Sequence, residues 1–170
     1  VDELGYYPNH TAQSLATGKT NTIGLIVPDV DNQFCATLYS YMEDICWKLG
    51  YFMVLAISND DPEKESKYIE TFIKRNVDGI ICIPVNKNNS AVKRAINQNI
   101  PVVLLLNKLK GIDTNLIMID DYYALKKTTQ YLIDMGHRNI MYIDGIRNYS
   151  NNYIRYINDE RLRGFKDALK

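Results

Sequence analysis

Short apolar segments alternate with amphipathic segments along most of the chain, and polar or turn-forming residues separate them. The first four apolar segments are nearly continuous, which is typical of parallel strands that are covered on both faces. Apolar segments predict strands at residues 23–27, 52–57, 79–83, 102–106, 116–119 and 140–144. Their alternation with helices predicts an α/β fold with a doubly wound parallel sheet.

The segment after the first strand carries helical periodicity. Its apolar residues recur at three- and four-residue spacing and therefore share one face of a helix, which Gly50 ends. The residues on that face are Phe34, Leu38, Tyr41, Met42, Ile45 and Leu49.

A second helix is predicted to start where Asp61 precedes Pro62, because a capping side chain is followed there by a residue that needs no amide partner. Its buried stripe is predicted to contain Tyr68, Ile69, Phe72 and Ile73, and its solvated side Lys64, Glu65, Lys67, Glu70 and Lys74. Further helices are predicted at residues 91–98, 121–135 and 159–169.

Ligands of such sheets bind beyond the carboxyl ends of the strands. The loops expected to carry function therefore begin at Pro28, Ser58, Pro84, Asn107 and Gly145.

Composition narrows the class of protein. A chain of 170 residues with 46% apolar residues is not a disordered tail, and 20 basic against 20 acidic side chains argue against a broad electrostatic surface for nucleic acid. The three cysteines are an odd number without C-x-x-C spacing, so we expect no disulfide framework, no structural zinc site and a reducing compartment. No metal and no cofactor are predicted. The longest apolar run, residues 100–106, is much shorter than the roughly 20 residues that span a bilayer, so no membrane partner is expected.

Motifs of enzymes are weak or missing. Residues 17–20 resemble the end of a phosphate-binding loop, but Gln13 stands where that motif needs glycine. The patterns G-x-G-x-x-G, G-x-S-x-G and H-E-x-x-H do not occur, so we predict that the protein is not an enzyme and has no catalytic residues. An α/β enzyme such as a hydrolase would depend on Asp120 and Asp121 alone.

Two acidic pairs and one histidine allow structural interpretations. Asp61 is interpreted as a helix cap and Asp60 as a solvated neighbour. Asp120 and Asp121 start a helix at the expected ligand edge, and a role toward a ligand and a structural role both stay open. His137 is interpreted as a turn residue, and the cysteines Cys35, Cys46 and Cys82 as core residues.

The first eighteen residues belong to no strand–helix unit. Pro8 can open a short helix that Gly18 closes, and Leu15 is the large apolar residue inside it. So short a helix is marginal alone and needs a partner surface. The alternative is a disordered linker.

Short motifs then follow one another in a recognisable order. They are Gly5-Tyr6-Tyr7-Pro8-Asn9, Ala12-Gln13-Ser14-Leu15, Ile23-Gly24-Leu25-Ile26-Val27-Pro28-Asp29, Asn32-Gln33-Phe34, Val77-Asp78-Gly79, Ile119-Asp120, Gly136-His137-Arg138 and Arg161-x-x-Gly164-Phe165. In order and spacing they resemble the LacI/GalR family of bacterial transcriptional regulators.

The resemblance implies a DNA-binding repressor whose helix-turn-helix head lies upstream of Val1. Residues 1–19 would be a hinge that becomes helical on operator DNA, with Leu15 wedged into the minor groove. The implied hinge contacts are Asn9, Ala12, Ser14 and Leu15. Gln13 stands where the family usually has arginine, so one phosphate contact is in question. The implied protein is a cytoplasmic homodimer.

The remainder resembles a periplasmic-binding-protein-like sensing module with two lobes. Residues 20–119 would form the N-terminal lobe, and residues 120–170 the first part of an incomplete C-terminal lobe. The cleft would bind a small effector, in the first place a sugar or sugar derivative, although relatives also handle purines. The implied effector-binding residues are Asp29, Asn32, Phe34, Lys108, Asp120 and Arg161.

Several positions depart from the family pattern. Cys35 replaces a second aromatic residue beside Phe34, and Lys108 stands where many relatives have arginine. The segment between Gly145 and Arg161 is longer than usual and rich in tyrosine and asparagine. Those tyrosines would stack on a ligand or belong to a solvated loop.

The resemblance also implies a mechanism in which the effector shifts the population of lobe arrangements and thereby the folding of the hinges on DNA. The alternative is a periplasmic or lipid-anchored sugar-binding protein of a transport system. A hinge in residues 8–15 argues against it, because a secreted binding protein has no use for a hinge.

Overall fold

The computed structural model describes residues 17–31, 33–85, 87–143 and 156–170. Across these residues the elements are β1 (Thr22–Val27), α1 (Gln33–Lys48), β2 (Phe52–Ile57), α2 (Pro62–Lys74), β3 (Gly79–Cys82), α3 (Ser90–Asn97), β4 (Val102–Leu105), β5 (Asn115–Ile117), α4 (Asp121–Asp134) and α5 (Tyr156–Ala168).

The described strands form one parallel sheet with the order β2-β1-β3-β4-β5. The inner strand β1 pairs with β2 on one side and β3 on the other, so that Ile23 lies opposite both Met53 and Gly79. The predicted α/β fold with a parallel sheet is therefore confirmed.

Helices cover both faces of the sheet. Successive side chains of a strand point to opposite faces, so Leu25 and Val27 pack on the side of α1, whereas Ile26 packs on the side of α2 and α3. Gly24 is required where β1 passes the ring of Phe72, since a Cβ there would stand 2.4 Å from Cδ2 of that ring. The uninterrupted apolar sequence of β1 reflects this burial on two sides.

The prediction for the apolar face of α1 is wrong in part. Tyr41, Ile45 and Leu49 are 70%, 56% and 70% exposed, while Leu38 and Met42 pack against the sheet. The apolar stripe is wider than the strip of helix surface that the sheet can cover, so its outer half faces away from the core.

The placement of Glu65 on the solvated side of α2 is also wrong. Glu65 is 2% exposed and accepts a hydrogen bond of 2.6 Å from the amide of Val85, just after β3. It stands four residues before Ile69 and seven before Phe72, and therefore on the buried stripe. The predicted cap is confirmed, because Asp61 Oδ1 accepts from the amides of Glu63 and Lys64.

The strand predicted at residues 140–144 is not formed in its described part. Residues 137–143 have no regular structure, and Met141 and Ile143 are 83% and 84% exposed. A strand needs a hydrogen-bonding neighbour, and no described segment pairs with these residues. Asp144 lies outside the described residues. His137 is exposed in the turn after α4, and Cys35 and Cys82 are core residues as predicted, whereas Cys46 is half-buried.

The helices α4 and α5 pack closely on each other, whereas α1 to α3 pack on the sheet. The ring of Phe165 in α5 stacks on Tyr142, with ring centroids 5.2 Å apart. No described helix combines the length and the apolar character that a membrane crossing requires.

Candidate functional site

The carboxyl ends of all five strands meet at one edge of the parallel sheet. Polar residues follow several of these ends: Asp29 after β1, Asp60 after β2, Asn107 and Lys108 after β4, and Asp120 after β5. This edge is the ligand edge expected for the fold.

The loops after β1 and β2 converge on Cys35 in the first turn of α1. Burial raises the pKa of the Cys35 thiol, and the negative charges of Asp29 and Asp60 raise it further. The two carboxylates therefore act on the same small region of the ligand edge. A thiol with a raised pKa is a poor nucleophile, so this cysteine has the character of a core residue.

The end of β4 is a tight turn around a strained residue. Leu106 has a φ of 64°, which is unfavourable for a leucine, and the Asn107 amide donates to the carbonyl of Leu105 at 2.7 Å. The Leu106 amide donates to the carbonyl of Ile117 in β5 at 2.7 Å, which holds the turn in place. The turn determines where the backbone of Asn107 and Lys108 leaves the sheet.

A buried polar cluster supports the neighbouring loop after β3. Asn107 is 8% exposed, and its side-chain amide donates to the carbonyl of Pro84 at 2.9 Å. On the other side of the loop, Glu65 accepts from the amide of Val85. Burial raises the pKa of the Cys82 thiol well above its usual value, and the Glu65 carboxylate raises it further. Sequence analysis placed Glu65 on the solvated side of its helix and named Asn107 only as the start of a loop, although the spacing of Glu65 from Ile69 and Phe72 was a usable signal.

The strongest side-chain pair near this edge joins α5 to the start of α4. Arg161 Nε donates to Asp121 Oδ1 at 2.7 Å, and the Asp121 side chain is only 10% exposed. Asp120 caps α4, since its Oδ1 accepts from the amide of Tyr123 at 2.9 Å. Adjacent carboxylates therefore have different roles, and the one that holds the arginine is Asp121.

Gly164 makes this pair possible. It lies three residues after Arg161 on the same face of α5, where a Cβ would stand 2.2 Å from the carbonyl oxygen of Tyr122. The absence of a side chain lets α5 approach the backbone of α4, which brings Arg161 within reach of Asp121. The spacing R-x-x-G thus has a physical reason.

A second contact layer fixes the same helix pair. The guanidinium of Arg163 lies over the ring of Tyr122, 4.4 Å from its centroid, and also binds Glu160 at 2.6 Å. The hydroxyl of Tyr122 lies 3.3 Å from Asp167 Oδ2. An open cleft of about 330 Å³ lies beside this layer. Its lining residues are Met118, Asp120, Asp121, Tyr122 and Glu160.

The predicted effector residues fall into two groups. Asp29 is half-buried, Phe34 is 49% exposed in the first turn of α1, and Lys108 is exposed; these three lie at the carboxyl edge of the sheet. Asp120 and Arg161 lie at the start of α4 and on α5. Asn32 lies outside the described residues, as do the predicted hinge contacts Asn9, Ala12, Ser14 and Leu15.

The arrangement favours recognition of a polar small molecule. In the described part of the chain the guanidinium of Arg161 uses Nε for Asp121, which leaves its two amino groups as donors in a fixed orientation. Carboxylates beside it can accept from hydroxyl groups. The described residues hold no group of three or more histidine, cysteine or acidic side chains suited to a metal ion.

Comparison with known proteins identifies the fold family. Residues 20–170 match the family described as periplasmic binding proteins and the sugar-binding domain of the LacI family. The chain belongs to this family. The resemblance to LacI/GalR regulators predicted from the motifs is thereby confirmed.

Members of the LacI family resemble the chain over nearly its whole length. Catabolite control protein A of Priestia megaterium is 32% identical over 169 residues, which are 99% of this chain and 49% of that protein. The regulator GalR of Salmonella typhimurium is 31% identical over 170 residues, 99% of this chain and 48% of that protein. The chain thus spans about half the length of these curated relatives.

One similar solved structure contains a bound sugar. It is a periplasmic binding protein/LacI transcriptional regulator from Alkaliphilus metalliredigens complexed with D-xylulofuranose. Its TM-score is 0.69 and its identity 29%, over 87% of this chain and 52% of that chain.

The close approach at Gly164 predicts a large effect of one methyl group. Gly164→Ala should destabilise the packing of α5 on α4 by roughly 1–3 kcal/mol, because the obstructing atoms belong to backbone and cannot rotate away. Urea unfolding measures the change. Lys166→Ala on the same helix is the control and should stay within about 0.5 kcal/mol of the parent protein. Equal stability of the two variants would contradict the proposed close packing.

Proposed function

We propose that this chain is the hinge and sensing module of a repressor-type transcriptional regulator that binds operator DNA and responds to a sugar or sugar derivative. The observation that carries the proposal is that its similarity to two regulators covers 99% of the chain, and so reaches into the segment before β1. A regulator that acts on DNA works in the cytoplasm. The DNA-reading head would lie in the half of the relatives that this chain does not span.

In this proposal residues 1–19 form the hinge, residues 20–119 the N-terminal lobe and residues 120–170 the first part of the C-terminal lobe. The packing supports the second boundary, since α1 to α3 lie on the sheet while α4 and α5 lie on each other. The effector would bind between the lobes. Asp29, Phe34 and Lys108 would contact it from one side, together with Asn32, and Asp120 and Arg161 from the other.

The chemistry of these groups fits a polyol. Carboxylates accept from sugar hydroxyls, the arginine fork donates to ring or hydroxyl oxygens, and Phe34 offers an apolar ring face. The regulator complexed with D-xylulofuranose supports a sugar as the ligand class. Effector binding would change operator affinity through a difference in its own affinity for two lobe arrangements.

A sugar-binding protein of a transport system is the less favoured alternative. It would share both lobes, but the two curated relatives described above are regulators, and the similarity includes the residues that precede the sheet. An α/β enzyme is less favoured still, because Asp120 caps a helix and Asp121 holds Arg161.

The outer face of α1 supports a homodimer. Tyr41, Ile45 and Leu49 form an exposed apolar stripe along α1. Contiguous exposed apolar surface of this kind marks an interaction site. A second copy of the chain can cover it by two-fold symmetry, which places two hinges side by side for a symmetric operator.

The effector proposal predicts a thermal response of the full-length regulator. In a panel of monosaccharides, their phosphate esters and nucleosides, a ligand at 100 times its Kd should add about 2.7 kcal/mol of stability. Arg161→Lys should weaken binding of that ligand about tenfold, because lysine cannot reproduce the oriented fork. Arg163→Lys is the matched control and should leave binding of that ligand unchanged, because Arg163 stacks on Tyr122 and is not a proposed effector contact. A panel without any thermal shift would refute the sugar-sensing role.

The hinge proposal predicts a separate effect on DNA. A palindromic duplex is first selected from a randomised library with the full-length protein. Leu15→Ala should weaken binding to that duplex about tenfold, since the apolar wedge between base steps is lost, and should leave effector affinity unchanged. Leu15→Met retains an apolar wedge and should bind nearly as well as the parent. Undiminished binding by Leu15→Ala would exclude the wedge.

The dimer proposal predicts dissociation when charge is placed on the outer face of α1. Ile45→Glu should convert the dimer to a monomer in sedimentation, because the carboxylate would have to be desolvated in the interface. Thr71→Glu, on an exposed position of α2 across the sheet, should remain dimeric. A dimeric Ile45→Glu protein would show that another surface forms the contact.

A further inference from the structure

The chain enters β1 through Thr20, and side-chain hydrogen bonds fasten this residue to the loop before β3. The Thr20 amide donates to Asp78 Oδ1 at 3.0 Å, and the Thr20 hydroxyl donates to the carbonyl of Asn76 at 2.9 Å. The same hydroxyl lies 3.4 Å from Asp78 Oδ1. A hydroxyl has one hydrogen, so its donation goes to the nearer carbonyl, and the amide provides the bond to Asp78.

Further hydrogen bonds join the segment at Thr20 to the loop before β3 and fix its local conformation. The Asp78 amide donates to the carbonyl of Thr22 at 2.8 Å, and the Thr22 hydroxyl donates to the carbonyl of Thr20 at 3.1 Å. Residues 20–22 are therefore clamped by residues 76–78, although 58 positions separate Thr20 from Asp78. The position of Thr20 relative to β3 is thus specified by both main chain and side chain.

The use of an aspartate at this junction costs stability. Asp78 Oδ2 is buried without a hydrogen-bond partner among the described residues. An unsatisfied buried polar atom is unfavourable, and an asparagine could accept from the Thr20 amide equally well. The contribution of Asp78 at this junction therefore lies in the acceptor oxygen Oδ1 that faces the Thr20 amide, which asparagine would also supply.

The junction lies at the edge of the sheet where the predicted hinge attaches. Thr20 is the first residue after residues 1–19, and it stands at the amino end of β1, opposite the ligand edge. A cleft of about 400 Å³ at this edge is lined by Asp78 together with Gly18 and Lys19, the last residues of that hinge. The orientation in which the hinge leaves the lobe is accordingly set at Thr20.

We propose that Asp78 is a positioning residue that holds Thr20, and through it the hinge, in a fixed orientation on the sensing lobe, so that operator affinity depends on the contact. The inference rests on the proposed function, since it needs a hinge that binds DNA. Asp78 lies across the sheet from the ligand edge, so the role is separate from effector recognition.

Hydrogen exchange tests the contact itself in the full-length protein. Asp78→Ala should increase exchange of the Thr20 amide at least about tenfold, because its acceptor is lost, while amides of the β1–β3 ladder stay protected. Asp78→Asn keeps an acceptor oxygen and should retain the protection. Unchanged exchange in Asp78→Ala would overturn the inference at its first step.

Binding to the selected duplex tests the consequence. Asp78→Ala should weaken duplex binding about tenfold, with Asp78→Asn within about twofold of the parent. Thr20→Val keeps the amide bond to Asp78 and loses only the hydroxyl bond to Asn76, so it should weaken binding less than Asp78→Ala does. Effector affinity should be unchanged in all three. Thr71→Val is the matched control for Thr20→Val, because the Thr71 hydroxyl bonds only within α2, to the carbonyl of Lys67. Thr20→Pro, which has no amide hydrogen to donate to Asp78, provides the test if Asp78→Ala fails to fold.

The outcomes separate this inference from the proposed function. Loss of Thr20 protection with full duplex affinity would overturn the positioning role and leave the regulator proposal standing. Failure of the parent protein to select any duplex would overturn the regulator proposal and the positioning role together. Unfolding temperatures distinguish positioning from general destabilisation, because general destabilisation would lower the unfolding temperature of each variant in proportion to its loss of binding.

Discussion

The backbone of β1 is hydrogen-bonded to β2 and β3, and it fixes the positions of the residues at both of its ends. This strand lies between β2 and β3, and Leu25, Ile26 and Val27 are 0–1% exposed. Six residues of strand span roughly 20 Å. Thr20 precedes the strand at one end and Asp29 follows it at the other, so the attachment of the proposed hinge and one wall of the proposed cleft belong to a single rigid element.

The second wall of the proposed cleft is held by packing between two helices rather than by the sheet. Arg161 is presented by α5, which packs on α4 rather than on the sheet, and Gly164 permits that packing by leaving room for the Tyr122 carbonyl. The bond from Arg161 to Asp121 then depends on the distance between two helices. Because both helices lie outside the sheet layers, a change in their position relative to β1 would open or close the proposed effector cleft without disturbing that strand.

The strands were predictable because burial on both faces leaves an uninterrupted apolar sequence. Other features depend on partners that local sequence does not reveal. The broad apolar stripe of α1 does not indicate which part of it the sheet covers. The polar character of Glu65 did not indicate that it is a buried acceptor for the amide of Val85. The apolar residues 140–143 form no strand without a neighbour to pair with. The positive φ of Leu106 occurs in a turn that is held by a bond to Ile117 in β5, a partner that the local sequence does not reveal.

The rigidity of β1 and the separate packing of α4 on α5 limit how an effector signal can be transmitted through the proposed regulator. A strand that is hydrogen-bonded on both sides and packed on both faces does not bend locally. The effect of a ligand at Asp29 therefore cannot be transmitted to Thr20 through a local deformation of β1. The lobe would have to move as one body, against the second lobe or against a partner copy on α1. The contact between Thr20 and Asp78 would then convert that motion into a change in the spacing of two hinges. A loosely attached hinge would not follow the motion of the lobe, whereas a fixed one does.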